Sequence, residues 1–524
     1  MADVDPTLRV SNLTVAYRNG NGWLEAVRDV SFDVQPGQAC GLIGESGSGK
    51  TTVALAIMRY LPREGSVRGG SIALDGRDLL ALRPGQMSAI WGSRLALVPQ
   101  DPLAALNPSL RLGQQLGEVL QHHQGLRRQD ADRRVRELFA SVRLADPDRV
   151  ARAYPHQVSG GMLQRVMIAM ALSTEPRLLI LDEPTSSLDV TTQATVLDLI
   201  RDLIREHRTS VLHISHNLGV LAQSSDRVEV LYAGELIEEG DTLDIYGQPL
   251  HPYTRGLLDS VPRLGVSKGR VRVRAIQGRI PGPGERPEGC IFRPRCPLAI
   301  EVCRIHPPLY DCGDGRRSRC HRWAEIQAHA VSARQPAPAL PEESAREVVG
   351  QETVLGVQDL EVTFREPGAG LRALLGRPAA VRAVDGVGLR VRRGRTVGLV
   401  GESGSGKTSL ARAITGLVER SGGTVTLHDH PLPRGLRGRD RETRRRLQMV
   451  FQNPEEALNP FHTVGEALRR PLMRLRGQSA RGAEEGARAL LAQVQLDPEY
   501  AGRLPAELSG GEKQRVAIAR AFAT

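Results

Sequence analysis

Gly44-Glu45-Ser46-Gly47-Ser48-Gly49-Lys50-Thr51 follows the apolar run Cys40-Gly-Leu-Ile43, and the same eight letters return as Gly401-Glu402-Ser403-Gly404-Ser405-Gly406-Lys407-Thr408 behind Val397-Gly-Leu-Val400. Each copy continues into a helix-compatible stretch. Strand, Gly-rich turn and helix in that order imply a βαβ layout on a parallel sheet. Such a turn lets backbone N–H groups surround phosphates, and its glycines are needed because side chains would hold the backbone away. Lys50 and Lys407 would meet the β and γ oxygens. Thr51 and Thr408 would offer hydroxyls to Mg²⁺, with Thr52 and Ser409 following them in each binding loop.

The repetition extends well beyond the turn. Val98-Pro-Gln100-Asp-Pro102 returns as Val450-Phe-Gln452-Asn-Pro454, and Ser159-Gly160-Gly161 returns as Ser509-Gly510-Gly511. Offsets of 357, 352 and 350 residues make the repeat unit a whole domain, with small loop differences producing the drift. The expected organisation is a first domain over 7–262, a cysteine-bearing extension over 263–323, a linker over 324–352 rich in Ala, Pro and Glu, and a second domain over 353–524.

Leu178-Leu-Ile-Leu-Asp182-Glu183 reads as a buried strand delivering two carboxylates to the phosphate loop. Asp182 would hold the Mg²⁺ shell, and Glu183 would orient and polarise an attacking water.

Composition limits the alternatives. The 524 residues exceed one ordinary core, and 40% hydrophobic with 25% charged residues is ordinary for folded domains. An aromatic share of 3% argues against stacking platforms for single-stranded nucleic acid. The net charge of +11 comes largely from arginine blocks such as Arg437–Arg446, which read as solvated faces. No stretch approaches the roughly 18 apolar residues of a membrane span, so the expectation is a cytosolic protein that meets a membrane only through partners.

With these motifs in hand, the chain resembles the ATP-binding cassette ATPases over nearly its whole length. The resemblance implies an α/β fold of two tandem P-loop nucleotide-binding domains, each with a helical subdomain carrying the signature Ser159-Gly160-Gly161 or Ser509-Gly510-Gly511. It implies two ATP molecules sandwiched head to tail. Ser509, Gly510 and Gly511 would complete the first site, and Ser159, Gly160, Gly161 and Asp189 the second. Gln100 and Gln452 match the glutamine loop that senses Mg²⁺ and γ-phosphate, Ser187-Leu-Asp189 the D-loop, and His216 the switch histidine. Tyr17 and Phe364 stand where the family places an aromatic beneath adenine. Asn217 departs from the usual aspartate after the switch histidine, and Met162 and Glu512 stand where many members have glutamine.

A narrower resemblance rests on His251-Pro-Tyr-Thr-Arg-Gly-Leu257 and the cysteine extension, which look like the ATPases of dipeptide and oligopeptide importers, a group that includes nickel uptake systems. It implies two permease subunits, an extracytoplasmic peptide-binding protein and peripheral attachment at the cytoplasmic face of the cell membrane. The rival class is a soluble tandem cassette protein acting on ribosomes or nucleic acid. A Pro-rich, cysteine-bearing join speaks against it, since such proteins join their domains by a long charged helix.

Cys290, Cys296, Cys303 and Cys320 are spaced x5, x6 and x16, with Cys312 surplus and Cys40 remote. Reduced thiols in a cytosolic protein disfavour disulfides and leave zinc, an iron–sulfur cluster or plain cysteines open. Resemblance to the peptide-importer ATPases favours a [4Fe–4S] cluster. Finally, Ser159 precedes Asp182 by 23 residues, so the second copy expects its aspartate near position 532, past Thr524. Either the chain is a shortened form of a longer protein or its second site is inactive, and hydrolysis is expected at the first site alone.

Overall fold

A computed structural model of the chain describes residues 5–20, 22–186, 188–261, 276–330, 352–365 and 380–524, which fall into two compact units, 1–343 and 344–524. The strands of the first unit are β1 (Leu8–Asn19), β2 (Gly22–Val34), β3 (Ala39–Ile43), β4 (Gly65–Leu74), β5 (Arg77–Asp78), β6 (Leu95–Val98), β7 (Leu178–Asp182), β8 (Ser210–Ser215), β9 (Arg227–Tyr232), β10 (Glu235–Asp241), β11 (Tyr310–Asp311) and β12 (Arg317–Ser318).

They build two sheets. One is antiparallel in the order β2-β1-β4-β5, and the other has eight strands in the order β11-β12-β10-β9-β3-β8-β7-β6. In the larger sheet β6, β7, β8, β3 and β9 run parallel, and every residue of β3, β7 and β8 is buried. Unbroken apolar runs are what parallel strands covered on both faces require. The phosphate loop leaves the C-terminal end of β3 and the two carboxylates leave that of β7, beside each other around β8, where ligands of open α/β sheets collect.

A helical layer packs on one side of this sheet. Helices Leu112–Gln124, Arg128–Ser141 and Gly160–Leu172 bury Leu116, Leu120, Val135, Phe139, Val166 and Ile168 in one cluster. The antiparallel strands β10, β12 and β11 extend the sheet on the far side of β9. Residues 276–323 thereby pack against the first domain. The expected linker is helical at its start: Trp323–Ala330 forms a helix with Ile326 buried and Gln327 O accepting from Gln248 Nε2. Residues 331–351 of that linker lie outside the described residues.

The second unit repeats the antiparallel sheet with β13 (Thr353–Arg365), β14 (Ala380–Arg392), β15 (Gly422–Leu427) and β16 (His430–Pro431), in the order β14-β13-β15-β16. It also repeats the helices Val464–Arg476, Ala480–Gln493 and Gly510–Phe522 around buried Leu468, Leu491 and Val516. One expectation fails here. Val397–Val400 forms no strand, and Val400 is 94% exposed. β3 is held by β8 on one side and β9 on the other, whereas no described strand of the second unit lies beside Val397–Val400, so its backbone has no ladder to join.

Candidate functional site

The first phosphate loop is shaped by close packing. A Cβ at Gly44 would stand 2.1 Å from Leu231 O, and Gly49 adopts φ +102° as it opens the helix Lys50–Ile57. Both positions therefore require glycine. The buried Lys50 donates from Nζ to Gly44 O at 2.8 Å and Glu45 O at 3.0 Å. Burial lowers its pKa, an effect opposed by the charges of Glu183, Asp182 and Glu45.

Around the loop stand the groups singled out in the sequence. Thr51 Oγ1 donates to Asp182 Oδ1 at 3.4 Å, and burial raises the Asp182 pKa. Glu183 sits at φ +49° and accepts from Gln100 Nε2 at 3.0 Å, while its other oxygen lies 2.9 Å from His216 Nδ1. The bond to His216 holds the Glu183 carboxyl below its ordinary range and raises the His216 pKa. Lys50, Thr51, Thr52, Gln100, Glu183 and His216 line one cavity.

Tyr17 lies at the margin of this group, its hydroxyl 3.3 Å from Thr52 Oγ1. Ser159 caps the signature helix Gly160–Leu172 by accepting from Met162 N–H, which leaves that N-terminus at the surface. Asp189 caps the helix Val190–His207 through Thr192, and Asn217 caps Leu218–Ser224 through Gly219 N–H. Ser187 lies outside the described residues.

The second loop reproduces the lysine geometry in the open. Lys407 Nζ donates to Gly401 O at 2.7 Å, Glu402 O at 2.6 Å and Ser405 Oγ at 3.3 Å, while Thr408 and Gln452 are exposed. Phe364 is 44% exposed on β13. Ser509 and Glu512 form a reciprocal capping box, so the glutamate replacing glutamine satisfies the helix N-terminus, and Tyr500 OH donates to Glu512 as well.

Sequence reasoning missed the wall contributed by the end of the first domain and by the extension. Leu257, Pro281 and Pro283 line the cavity with the phosphate loop, Glu45 N–H donates to Tyr253 OH at 2.8 Å, and Arg295 pairs with Glu45 at 2.9 Å. His251 caps the helix Pro252–Asp259 by accepting from Tyr253 N–H, and its own N–H donates to the buried Glu238. The His-Pro-Tyr segment was visible as a motif, but its contacts 208 residues back along the chain were not.

Cys290, Cys296, Cys303 and Cys320 line one further cavity with His251 and His321. Cys312 lies outside it, against Tyr310 O, and Cys40 is buried in β3 beside Glu229. Burial pushes the Cys290 and Cys320 thiols up to about 11 and about 12. Among the described residues no group of three or more His, Cys, Asp or Glu is placed to hold a metal ion.

The ABC transporter family matches residues 27–186 and 384–524, and the oligopeptide/dipeptide transporter C-terminal region matches residues 237–303. The oligopeptide transport ATP-binding protein OppD of Mycobacterium tuberculosis is 39% identical over 99% of this chain and 84% of its own length. The glutathione import ATP-binding protein GsiA of Escherichia coli is 37% identical over 99% of this chain and 76% of its own. A solved dimer of the ATP-binding cassette MJ0796 with ADP and Pi aligns at a TM-score of 0.42 and 25% identity, covering 45% of this chain and 98% of that one. The chain belongs to the ABC transporter ATPases, in the group that carries the oligopeptide/dipeptide transporter C-terminal region.

Proposed function

We propose that this chain binds and hydrolyses ATP to drive import of dipeptides or oligopeptides through membrane permeases. The supporting observation is a cavity in which the phosphate loop, Gln100, Glu183 and His216 converge and whose wall is partly built by Leu257, Pro281 and Pro283, within the segment matching the peptide-transporter region. Lys50 would leave its loop carbonyls for the phosphates. Glu183, ionised and aimed by His216 and Gln100, would take the proton of the attacking water.

The oxygen donors Thr51 and Asp182 fit Mg²⁺, which needs few protein ligands because phosphates and waters complete its shell. When bound, the ion neutralises charge on the transferring phosphoryl group. Ser509–Gly511 and Ser159–Gly161 would each present a helix N-terminus to a nucleotide phosphate, with Asp189 also serving nucleotide binding.

The protein would work at the cytoplasmic face of the cell membrane on two permease subunits fed by an extracytoplasmic peptide-binding protein. No described helix is long and apolar enough to cross a membrane. The four convergent thiols would hold a [4Fe–4S] cluster. The supporting observation is that Cys290, Cys296, Cys303 and Cys320 line one cavity, a donor set of the kind that holds an iron–sulfur cluster. Its part is to tie Cys290, Cys296 and Cys303 to Cys320 across the extension.

Cells lacking the chain should lose uptake of labelled di- and tripeptides, regain it with the wild type, and fail to regain it with Lys50→Ala. Uptake indifferent to the chain would refute the peptide reading. Anaerobically purified protein should contain about four irons and four sulfides per chain, and stoichiometric zinc without iron would refute the cluster.

A further inference from the structure

Glu45 is a carboxylate placed where polyphosphate must arrive. It is the second residue of the first phosphate loop, lines the same cavity as Lys50 and Thr51, and keeps its side chain 27% exposed. Left free, it would repel the incoming phosphates and compete for Lys50. The structure restrains it from a distance of 250 residues along the chain. Arg295 Nη1 donates to Glu45 Oε2 at 2.9 Å and Nη2 to Oε1 at 3.0 Å, a two-pronged grip.

The guanidinium is itself immobilised. Nε donates to Gln277 O at 2.9 Å, Nη2 to Ile276 O at 3.3 Å and Nη1 to Tyr232 OH at 3.3 Å, and Arg295 keeps only 6% side-chain exposure. A charge-assisted fork at a shielded position is the strong form of this interaction. The backbone of the same loop residue is held separately, Glu45 N–H donating to the hydroxyl of the fully buried Tyr253, whose ring packs against Tyr232 and Phe292.

We propose that Arg295 and Tyr253 are positioning residues for the first ATP site: Arg295 draws the Glu45 carboxylate away from the phosphates, and Tyr253 fixes the loop backbone that receives them. This rests on the reading of that cavity as the ATP site and adds to it a dependence on the extension. If Arg295 only fastened the extension to the core, removing the Glu45 charge would not repair its loss. If it restrains Glu45, the repair follows.

The test is Mg·ATP binding by titration calorimetry, with steady-state ATPase kinetics, on the full chain in a Lys407→Ala background. Arg295→Gln should weaken ATP binding about tenfold, or 1.4 kcal/mol. At saturating ATP its kcat should stay within about twofold of the parent, the pattern of a lost ground-state contact. Adding Glu45→Gln to Arg295→Gln should restore affinity to within about threefold of the parent, the scale on which a charge repulsion has been removed. Unchanged affinity in Arg295→Gln, or a double variant no better than Arg295→Gln, would overturn the proposal. Should Arg295→Gln not fold, Tyr253→Phe decides: about threefold weaker binding, the scale of one neutral hydrogen bond, supports positioning, and unchanged binding overturns it. Lys50→Ala separates the two readings. Normal ATP binding by Lys50→Ala overturns the ATP-site assignment itself, whereas its loss beside an unaffected Arg295→Gln overturns only the positioning role.

Discussion

Replacing Glu183 with Gln removes a charge and a proton acceptor while leaving most of the local geometry available. A glutamine carbonyl can still accept from Gln100 Nε2, which bonds Glu183 at 3.0 Å, and its amide can donate toward His216 Nδ1, 2.9 Å from the carboxylate. His216 is 57% exposed, so the lost ion pair should cost less than about 1 kcal/mol of stability. What disappears is the proposed general base, a role typically worth a factor of about 10² to 10⁴ in rate. Hydrolysis should therefore slow at least about 100-fold, a rise in barrier of about 2.7 kcal/mol, with ATP affinity nearly unchanged. The assay is phosphate release at saturating Mg·ATP alongside direct ATP binding, in a Lys407→Ala background so that only the first loop is read. Turnover within about threefold of the parent would refute the role of Glu183. So would a loss of turnover fully explained by lost ATP binding, because the carboxylate is assigned to chemistry rather than to holding nucleotide.

Two stability predictions follow from buried or strained groups. Burial raises Glu238 to about 7, so the folded chain keeps a proton that an unfolded glutamate releases near its ordinary value of about 4.3. This contribution is fully present below about pH 4 and is lost as pH rises through about 7. Between pH 5 and 8 the thermal midpoint of the wild type should fall more than that of Glu238→Gln, and parallel profiles would contradict the assignment. At Glu183, whose φ is +49°, Gly should be more stable than Ala by about 1 kcal/mol in denaturant unfolding, since only Ala keeps the left-handed penalty. Equal stability would show that the backbone there is unstrained.

The parallel core was legible because its signals are local. Leu178-Leu-Ile-Leu ahead of Asp182 is an apolar run whose burial on both faces leaves it little alternative, and the Gly-rich turn carries its own geometry. Ser159, Ser509 and Asp189, read from the sequence only as signature and D-loop residues, also cap their helices through a backbone N–H three residues away, a signal of the same local kind. Val397-Gly-Leu-Val400 shows the limit of the same reasoning. Its letters match a buried strand, but a strand exists only where neighbours complete its ladder. Arg295 was illegible for a related reason. In the sequence it is one arginine in Arg293-Pro-Arg295, and its importance arises only because β9 and β10 return the chain to the phosphate loop.

That return bears on how the loop keeps its shape through a binding event. Lys50 ties the loop together by donating to Gly44 O and Glu45 O. If the ammonium turns to phosphate oxygens, as proposed, those two bonds would be exchanged for phosphate contacts. The remaining ties are external to that exchange: Gly234 N–H donates to Ser48 O at 2.9 Å, Glu45 N–H to Tyr253 OH, and Arg295 holds the Glu45 carboxylate. Arg286 adds to them by donating to Ala233 O, next to Gly234. These ties do not involve Lys50 Nζ, so they would hold the loop while its lysine contacts are exchanged. Ordering costs would then be met during folding rather than at binding, which is the physical meaning of a preorganised site. Tyr253, Arg286 and Arg295 lie beyond the parallel core, so the segment that marks the peptide-transporter group also completes the scaffold of the nucleotide loop.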